Sequence, residues 1–518
     1  MQRFSKIKLS CSVASFAMLA MLTAGCTGTS HDSKFALSPA IGKDTTNVSL
    51  GITIVDEDGV PVKGAQVLIG DQNNSPFSGN FLQADNNGQL AIPAAWSAVL
   101  PVTIDAPGFV RATFFDRTPE VASFRLRHSP FAQRHELTGE TTGFGDIQDG
   151  VVEIGFVLPS YTREELATFE PNSILNSETD TFKVMGHEVK IPSNIAIPTQ
   201  SQTVVFPTTF SKPAYRYEFS REQQIQVTAL HVSVPMDDLS TAIQNNVPIF
   251  NLLNSLTFIG GGKSIAAIQG AAIKLDIPIN QSSFTQDTSV QAPKFATEDE
   301  MIVVAATETN GLYALSDAKL LQPGQNIKLS TDGGKGAVIS ILRVAQKEAI
   351  GPQNATNSIV ISPIVRAGST PEFLNIVAAP TVATSQLTLT PPPQTHSVAP
   401  LLTYGVLSKV ELTQNGHYKL EKKTPQWELY AKNWVSDIHL PIWPVAAIKT
   451  IAQNGDDQDD QGESSDSDQQ DEKSGPLGSS MRWEVSFAGA AGSASPVGAV
   501  GPEALLQATH VTRSATDF

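Results

Sequence analysis

Cysteine is nearly absent. Of 518 residues only two are cysteines, Cys11 and Cys26, and nothing after residue 26 carries a thiol. The long remainder therefore has no internal disulfide to lean on, and zinc sites built from several thiolates are excluded. Charge is scarce as well: Asp, Glu, Lys and Arg make up 17% of the chain, below the usual share of about 25%. What charge there is leans acidic, with 51 Asp and Glu against 35 Lys and Arg and a formal net charge of −16. Polyanions would be repelled on average, so nucleic acid is not an expected partner. Catalytic signatures are missing too. No His-Glu-x-x-His and no Gly-x-Ser-x-Gly occurs, and none of the nine histidines is followed by Glu at the third position.

What is present starts at the N-terminus. Arg3, Lys6 and Lys8 form a basic patch, residues 9–25 carry no charge, and small residues precede Cys26. This is the layout of a cleaved secretory signal, too short and wrongly flanked for a spanning helix. Residues 26–46, rich in Thr, Ser, Gly and Asp, read as a flexible tether. The run Leu22-Thr23-Ala24-Gly25-Cys26 resembles a bacterial lipoprotein signal with its lipobox. The resemblance implies that Cys26 is lipidated and becomes an acylated N-terminus, with the membrane as a partner through that anchor. Thr27, where an aspartate would mark inner-membrane retention, implies an outer-membrane location facing either the periplasm or the exterior.

From residue 48 short alternating segments begin, such as Leu50, Ile52 and Ile54 against Ser49, Gly51 and Thr53. Such alternation predicts half-buried strands, and Asp56-Glu57-Asp58-Gly59 and Asp85-Asn86-Asn87-Gly88 predict turns between them. The phrases Val55 to Val67, Asp85 to Gln89 and Val102 to Val110 resemble the carboxypeptidase regulatory-like domain. That resemblance implies a prealbumin-like Greek-key sandwich over residues 47–128, itself without catalytic activity. Residues 129–295 read as a β-rich domain with short helices. Val151 to Leu158 is a buried strand, Thr162-Arg163-Glu164-Glu165 fits a capping box, and a helix is expected from Met236 to Asn245. Residues 296–518 read as a further β-rich domain, closing with a strand from Leu505 to Thr512 and interrupted by a disordered acidic loop at 454–475. The expected fold class is thus mainly β, several sandwiches with a few short helices, at roughly 100–200 residues per domain.

Site candidates are few. Trp427, Tyr430, Trp434 and Trp443 cluster in sequence and offer faces on which a ligand such as a sugar ring would stack, although large aromatics also fill sandwich cores. Asp457, Asp459 and Asp468 fall at the spacing of a calcium loop, but Ser464 and the missing bidentate glutamate favour a solvated segment, so no metal is expected. Thr257 to Ser264 approaches a P-loop but lacks its first glycine, and reads better as a glycine-rich turn. Ser316 with Lys319 and His187 with Glu188 are pairs that an envelope hydrolase would use. The leading expectation is a non-catalytic, lipid-anchored envelope or surface protein that binds protein or glycan, with no cofactor. A hydrolase whose site is invisible in sequence, or an accessory subunit of a transport or secretion complex, are the alternatives.

Overall fold

The computed structural model describes residues 51–518 except 77–80, 120–122, 131–134, 146–149, 171–178, 185–186, 201–209, 213, 220–222, 239–240, 242–251, 271, 345–355, 395–396, 416–417, 444–474 and 493–500. Cys26, the signal, the tether, and the calcium-loop candidates Asp457, Asp459 and Asp468 lie outside the described residues.

The first seven strands form a sandwich, as the alternation predicts. One sheet orders Gln89–Ala91, Gly51–Val55 and Ser123–Arg125; facing it are Leu82–Gln83, Gln66–Ile69, Leu100–Asp105 and Arg111–Arg117. Ile52, Ile54, Val67, Ile69, Val102, Ile104, Phe114 and Phe124 point inward and are essentially solvent-free. The two acidic turns are built alike. Asp56 Oδ1 accepts from the amides of Asp58 and Val60, at 2.9 and 2.8 Å, and Asp85 Oδ1 accepts from Asn87 and Gln89, both at 2.8 Å. Each aspartate replaces ladder partners for two amides, and a glycine at positive φ, Gly59 or Gly88, closes the turn.

The second sheet set follows from a continuous apolar strand. Val151–Pro159 is buried at every interior position because both faces are covered. It lies inside a six-stranded sheet ordered Phe210–Lys212, Ile195–Gln200, Val151–Pro159, Gln223–Pro235, Thr257–Ile268 and Ser282–Ser283. Val157 joins Leu137, Tyr215, Val227 and Ile277 in a core toward the smaller sheet built on His135–Thr142, while Ile154, Phe156 and Leu158 face the other way. After it, Thr162 caps the short helix Arg163–Ala167 in the reciprocal bond pattern that the sequence predicts, with Glu165 reaching back to the Thr162 amide.

A twelve-stranded sheet then joins strands of the first sandwich to the strand His510–Asp517. Its order is Leu312–Leu321, Glu300–Thr309, Gly336–Arg343, Asn357–Pro363, His510–Asp517, Gly475–Ala491, Val398–Asn415, Tyr418–Lys432, and then Arg111–Arg117, Leu100–Asp105, Gln66–Ile69 and Leu82–Gln83. Hydrogen bonding thus crosses the boundaries expected near residues 128 and 295, and one apolar cluster includes Ile52, Phe156, Ile302 and Val511. The junction is a parallel pairing of Trp427, Glu428, Leu429 and Tyr430 with Arg111, Ala112, Thr113 and Phe114. Both faces of the sheet are covered: Ile302 and Val304 join the large cluster, while Met301 and Val303 pack with Val290 and Leu329 on the other side.

Two local expectations are corrected, and a third lies mostly outside the described residues. The P-loop lookalike is neither loop nor turn but the opening stretch of the strand Thr257–Ile268. Its glycines let another segment press against the strand: a Cβ on Gly260 would stand 2.1 Å from the Ser282 carbonyl oxygen, and one on Gly262 would stand 1.6 Å from that of Pro278. Leu505 does not begin the closing strand. Pro502–Gln507 is a 3-10 helix, started by a proline whose fixed φ suits a first helical position, and the strand is His510–Asp517. The expected helix starts at Met236, but of its span only Met236 to Asp238 and Thr241 are described, all helical.

The glycine contact generates a stability prediction. Gly262→Ala should cost about 1–3 kcal/mol or more by forcing the Pro278 segment away, whereas Ile265→Ala on the same strand, at a side chain 65% exposed, should stay within about 0.5 kcal/mol. Urea unfolding midpoints of the two variants measure the difference.

Candidate functional site

The four aromatics proposed for ligand stacking do not form one platform. Alternation along Tyr418–Lys432 sends Trp427 and Tyr430 to opposite faces of the large sheet. Trp427 donates its indole N–H to Thr113 Oγ1 at 2.9 Å, and Trp434 donates to the Ala488 carbonyl at 2.7 Å. Tyr430 is fully buried between Phe114 and Tyr404, both at 5.1 Å between ring centroids. Trp443 is buried against Phe81, with the Arg111 guanidinium 4.7 Å from its ring. These rings are occupied by packing and by the seam between the first sandwich and the rest.

The hydrolase pairs fare similarly. Ser316 Oγ donates to the Ala305 carbonyl at 3.3 Å. Lys319 Nζ donates instead to the carbonyls of Leu253 and Leu256 and stands 3.7 Å from Asp317, over the Phe258 ring. The serine and lysine are therefore not brought together as nucleophile and base. His187 and Glu188 sit on the strand His187–Pro192, paired through the backbone with Val184 and Lys183; their side chains lie outside the described residues.

Where ionisable groups do converge is beside the seam. Glu428 is 2% exposed and accepts from both Tyr404 (2.9 Å) and Tyr430 (2.7 Å), one phenol on each oxygen. Arg127 stands 3.6 Å from Glu428 and also bonds Glu164, which is buried and held by Arg125 as well. Burial opposes the Arg127 charge, but Tyr404, Glu428 and Glu164 outweigh it and hold its pKa well above the usual value. Burial, with the Glu428 carboxylate adding to it, pushes both phenols well above the usual tyrosine range, against the opposing pull of Arg127. Phenols that keep their protons act as donors and cannot serve as bases or nucleophiles near neutral pH. The cluster joins Arg125 and Arg127 of the first sandwich, Glu164 of the capped helix, and Tyr404, Glu428 and Tyr430 of the long strands.

A second cluster binds the helix exit to the same strands. Lys423 pairs with Glu170 at 2.6 Å and Glu484 at 2.5 Å. Burial alone would lower the lysine's pKa, yet Glu484 and Glu170 leave it raised. Arg513 donates to the carbonyls of Thr168 (3.2 Å) and Phe169 (2.7 Å) and to Asn357 Oδ1 (3.0 Å). Arg482 is 2% exposed and makes a two-pronged bond to Asp517, at 2.5 and 3.0 Å. Sequence inspection missed both clusters because their members are scattered from residue 125 to 517. Only the unusual placement of Glu428 and Arg482 inside apolar strand text signals them. Among the described residues no group of three or more His, Cys, Asp or Glu side chains is arranged to hold a metal ion.

No protein-family model matches the sequence, and no curated protein matches it. Among solved structures, the Bacillus anthracis TIE protein aligns at 10% identity over 62% of this chain and 50% of that one, with a TM-score of 0.16. BcpA, the major pilin subunit of Bacillus cereus, aligns at 9% identity over 62% and 98%, with a TM-score of 0.14. The Streptococcal ancillary pilin aligns at 8% identity over 62% and 98%, also with a TM-score of 0.14. This chain spans half the length of the TIE chain.

The phenol cluster predicts alkaline sensitivity. Below pH 10 the phenols are protonated whether folded or unfolded. Above it the unfolded chain loses those protons while Tyr404 and Tyr430, raised by burial, keep theirs. Stability then falls by about 1.4 kcal/mol per pH unit per phenol until the folded pKa is reached. The double variant Tyr404→Phe/Tyr430→Phe should be less stable at pH 8, where Glu428 loses both donors, and should show a shallower decline between about pH 10 and 11.5. Urea unfolding at stepped pH reads both; equal slopes would refute the protonated-donor assignment.

Proposed function

We propose that the chain is a non-catalytic lipid-anchored protein of the outer membrane, whose β-rich body serves a binding or structural role at the envelope. The observation that carries this reading is the run Leu22 to Cys26 behind a basic, then uncharged, leader. Acyl chains on one residue contribute about 0.8 kcal/mol per buried methylene, so several together hold a body at a bilayer without any spanning helix. The described helices include none long and apolar enough to cross a membrane. What supports a non-catalytic role is the use made of reactive side chains. Ser316 and Lys319 bond to separate carbonyls, and the buried phenols, carboxylates and guanidinia join strands to one another.

Within this reading the first sandwich is a carboxypeptidase regulatory-like module. Its seven strands in two sheets and its paired aspartate turns support that assignment. Such a module acts as a spacer or a contact surface beside other domains.

The anchor is tested directly. In a Gram-negative host, the wild-type chain should label with palmitate and fractionate with outer membranes. Cys26→Ser should abolish the label and leave the protein out of that fraction. An unmodified mature N-terminus on the wild-type protein, read by mass spectrometry, would overturn the reading.

A further inference from the structure

The strand Thr257–Ile268 pairs along its whole length with Gln223–Pro235, but its other edge is only half covered. On that edge the Ile259 carbonyl accepts from the Phe284 amide at 2.9 Å and the Gly261 carbonyl accepts from the Ser282 hydroxyl at 3.0 Å. The Lys263 amide donates to Gln281 Oε1 at 2.8 Å. Odd-numbered residues therefore aim their backbone groups away from the paired strand. The neighbouring strand agrees: Gln226, opposite Ile265, gives its carbonyl to the Ser160 amide at 2.8 Å, on the far side. Ile265 and Ala267 come next in the outward row. Among the described residues, nothing bonds to their outward amides and carbonyls.

The open stretch also lacks the devices that keep strand edges apart, which are charge, proline, a bulge or a covering segment. Ser264-Ile265-Ala266-Ala267-Ile268 has no charge and no proline. The one register shift in this pairing falls between His231 and Val232, toward the covered end. The covering segment reaches no further than Lys263, through Gln281. Ile265 is 65% exposed on the outer face, with exposed Ala267 beside it. A row of open amides and carbonyls flanked by apolar side chains is recognised by another extended backbone.

We infer that this backbone belongs to a second copy of the chain, its identical edge joined antiparallel about a two-fold axis at Ala266. In that register Ile265 of each copy stands opposite Ala267 of the other, and every open amide meets an open carbonyl with none left over. The larger side chain lies beside the smaller one on the outer face. Ala266 meets its own counterpart in the closely spaced, non-hydrogen-bonded position, where a methyl group fits. Lys263 falls opposite Gln269, so no like charges face each other. The pairing ends where the fold ends it: the Lys263 amide is already taken by Gln281, and Gly270, at a φ of +74°, turns the chain away. A two-fold contact of this kind closes on itself and yields a dimer.

Sedimentation of the full-length protein tests this, in detergent with micelles in large excess so that two anchors do not share one. The protein should be dimeric at about 100 µM and dissociate on dilution toward about 1 µM, as a small interface does. Salt should tighten the dimer, because each copy carries a net charge of −16 and screening weakens their repulsion. Ile265→Lys brings a charge to the seam, and Ala267→Pro removes an outward amide without breaking a bond to Gln223–Pro235. Each should raise the dissociation constant at least about tenfold. Ile259→Lys puts the same charge on the covered half, at a side chain 38% exposed, and should change it less than about twofold. Matching circular dichroism spectra verify the folds, and Ile265→Lys alone decides should the proline variant not fold. A wild-type monomer at about 100 µM, whatever else it retains from an envelope extract, would overturn the inference. So would an unchanged dissociation constant in a folded edge variant, a dimer lost in Ile259→Lys, or a dimer weakened by salt. Palmitate labelling at Cys26 is read separately, so these failures would leave the anchor reading standing.

Discussion

Four residue pairs in parallel register, Arg111 to Phe114 against Trp427 to Tyr430, connect the first sandwich to the remainder of the large sheet. In a chain with no thiol after residue 26, no disulfide can hold such a joint. A parallel ladder of this length is weak by itself, and other contacts must fix the two parts. The aromatic stack Phe114, Tyr430, Tyr404 does so on one face. On the other, Trp427 reaches across the seam to Thr113. The buried carboxylates of Glu164 and Glu428, with the half-buried Arg127 between them, then set its register, because sliding by one residue would strand each of them without its partner. Buried ion pairs are often neutral for net stability compared with apolar packing, but breaking one side is costly, and that asymmetry makes them good markers of a single correct alignment.

The same logic explains how a sheet of twelve strands persists in one chain. Open sheets expose edges and faces, and wide ones tend to split or curl. Here the faces are covered on both sides along much of the width, and one terminal strand, Leu312–Leu321, is guarded. Tyr161 bridges to Tyr313 through paired backbone bonds, and the Asn254 side chain caps both the amide and the carbonyl of Leu320. A side chain in place of a partner strand satisfies the edge without extending it.

The sequence made local structure legible and long-range assembly obscure. Alternation at Gly51 to Ile54, the aspartate turns and the Thr162 capping box each depend on residues within a few positions of one another, and each is found in the structure. Gly260 to Gly262 differ from the expected turn because glycine carries two meanings. In isolation a glycine run signals a turn, whereas here it marks where the carbonyls of Pro278 and Ser282 approach a strand too closely for any Cβ. Turn and strand patterns near residues 128 and 295 carry no information on sheet pairing, so they do not reveal that Arg111–Arg117 pairs with a strand more than 300 residues later. Trp427 and Tyr430 are close in sequence, yet alternation along the strand separates them across the sheet.

A polar side chain buried in strand text is therefore more informative here than an aromatic one. Glu428, between Trp427 and Leu429, has no reason to lie inside an apolar sheet unless partners from elsewhere meet it, and Arg127 and two phenols do. Arg482 beside Trp483 carries the same signal and is answered by Asp517. The contrast with Asp116, which no described residue answers, is what separates a carboxylate used by the fold from one left facing solvent.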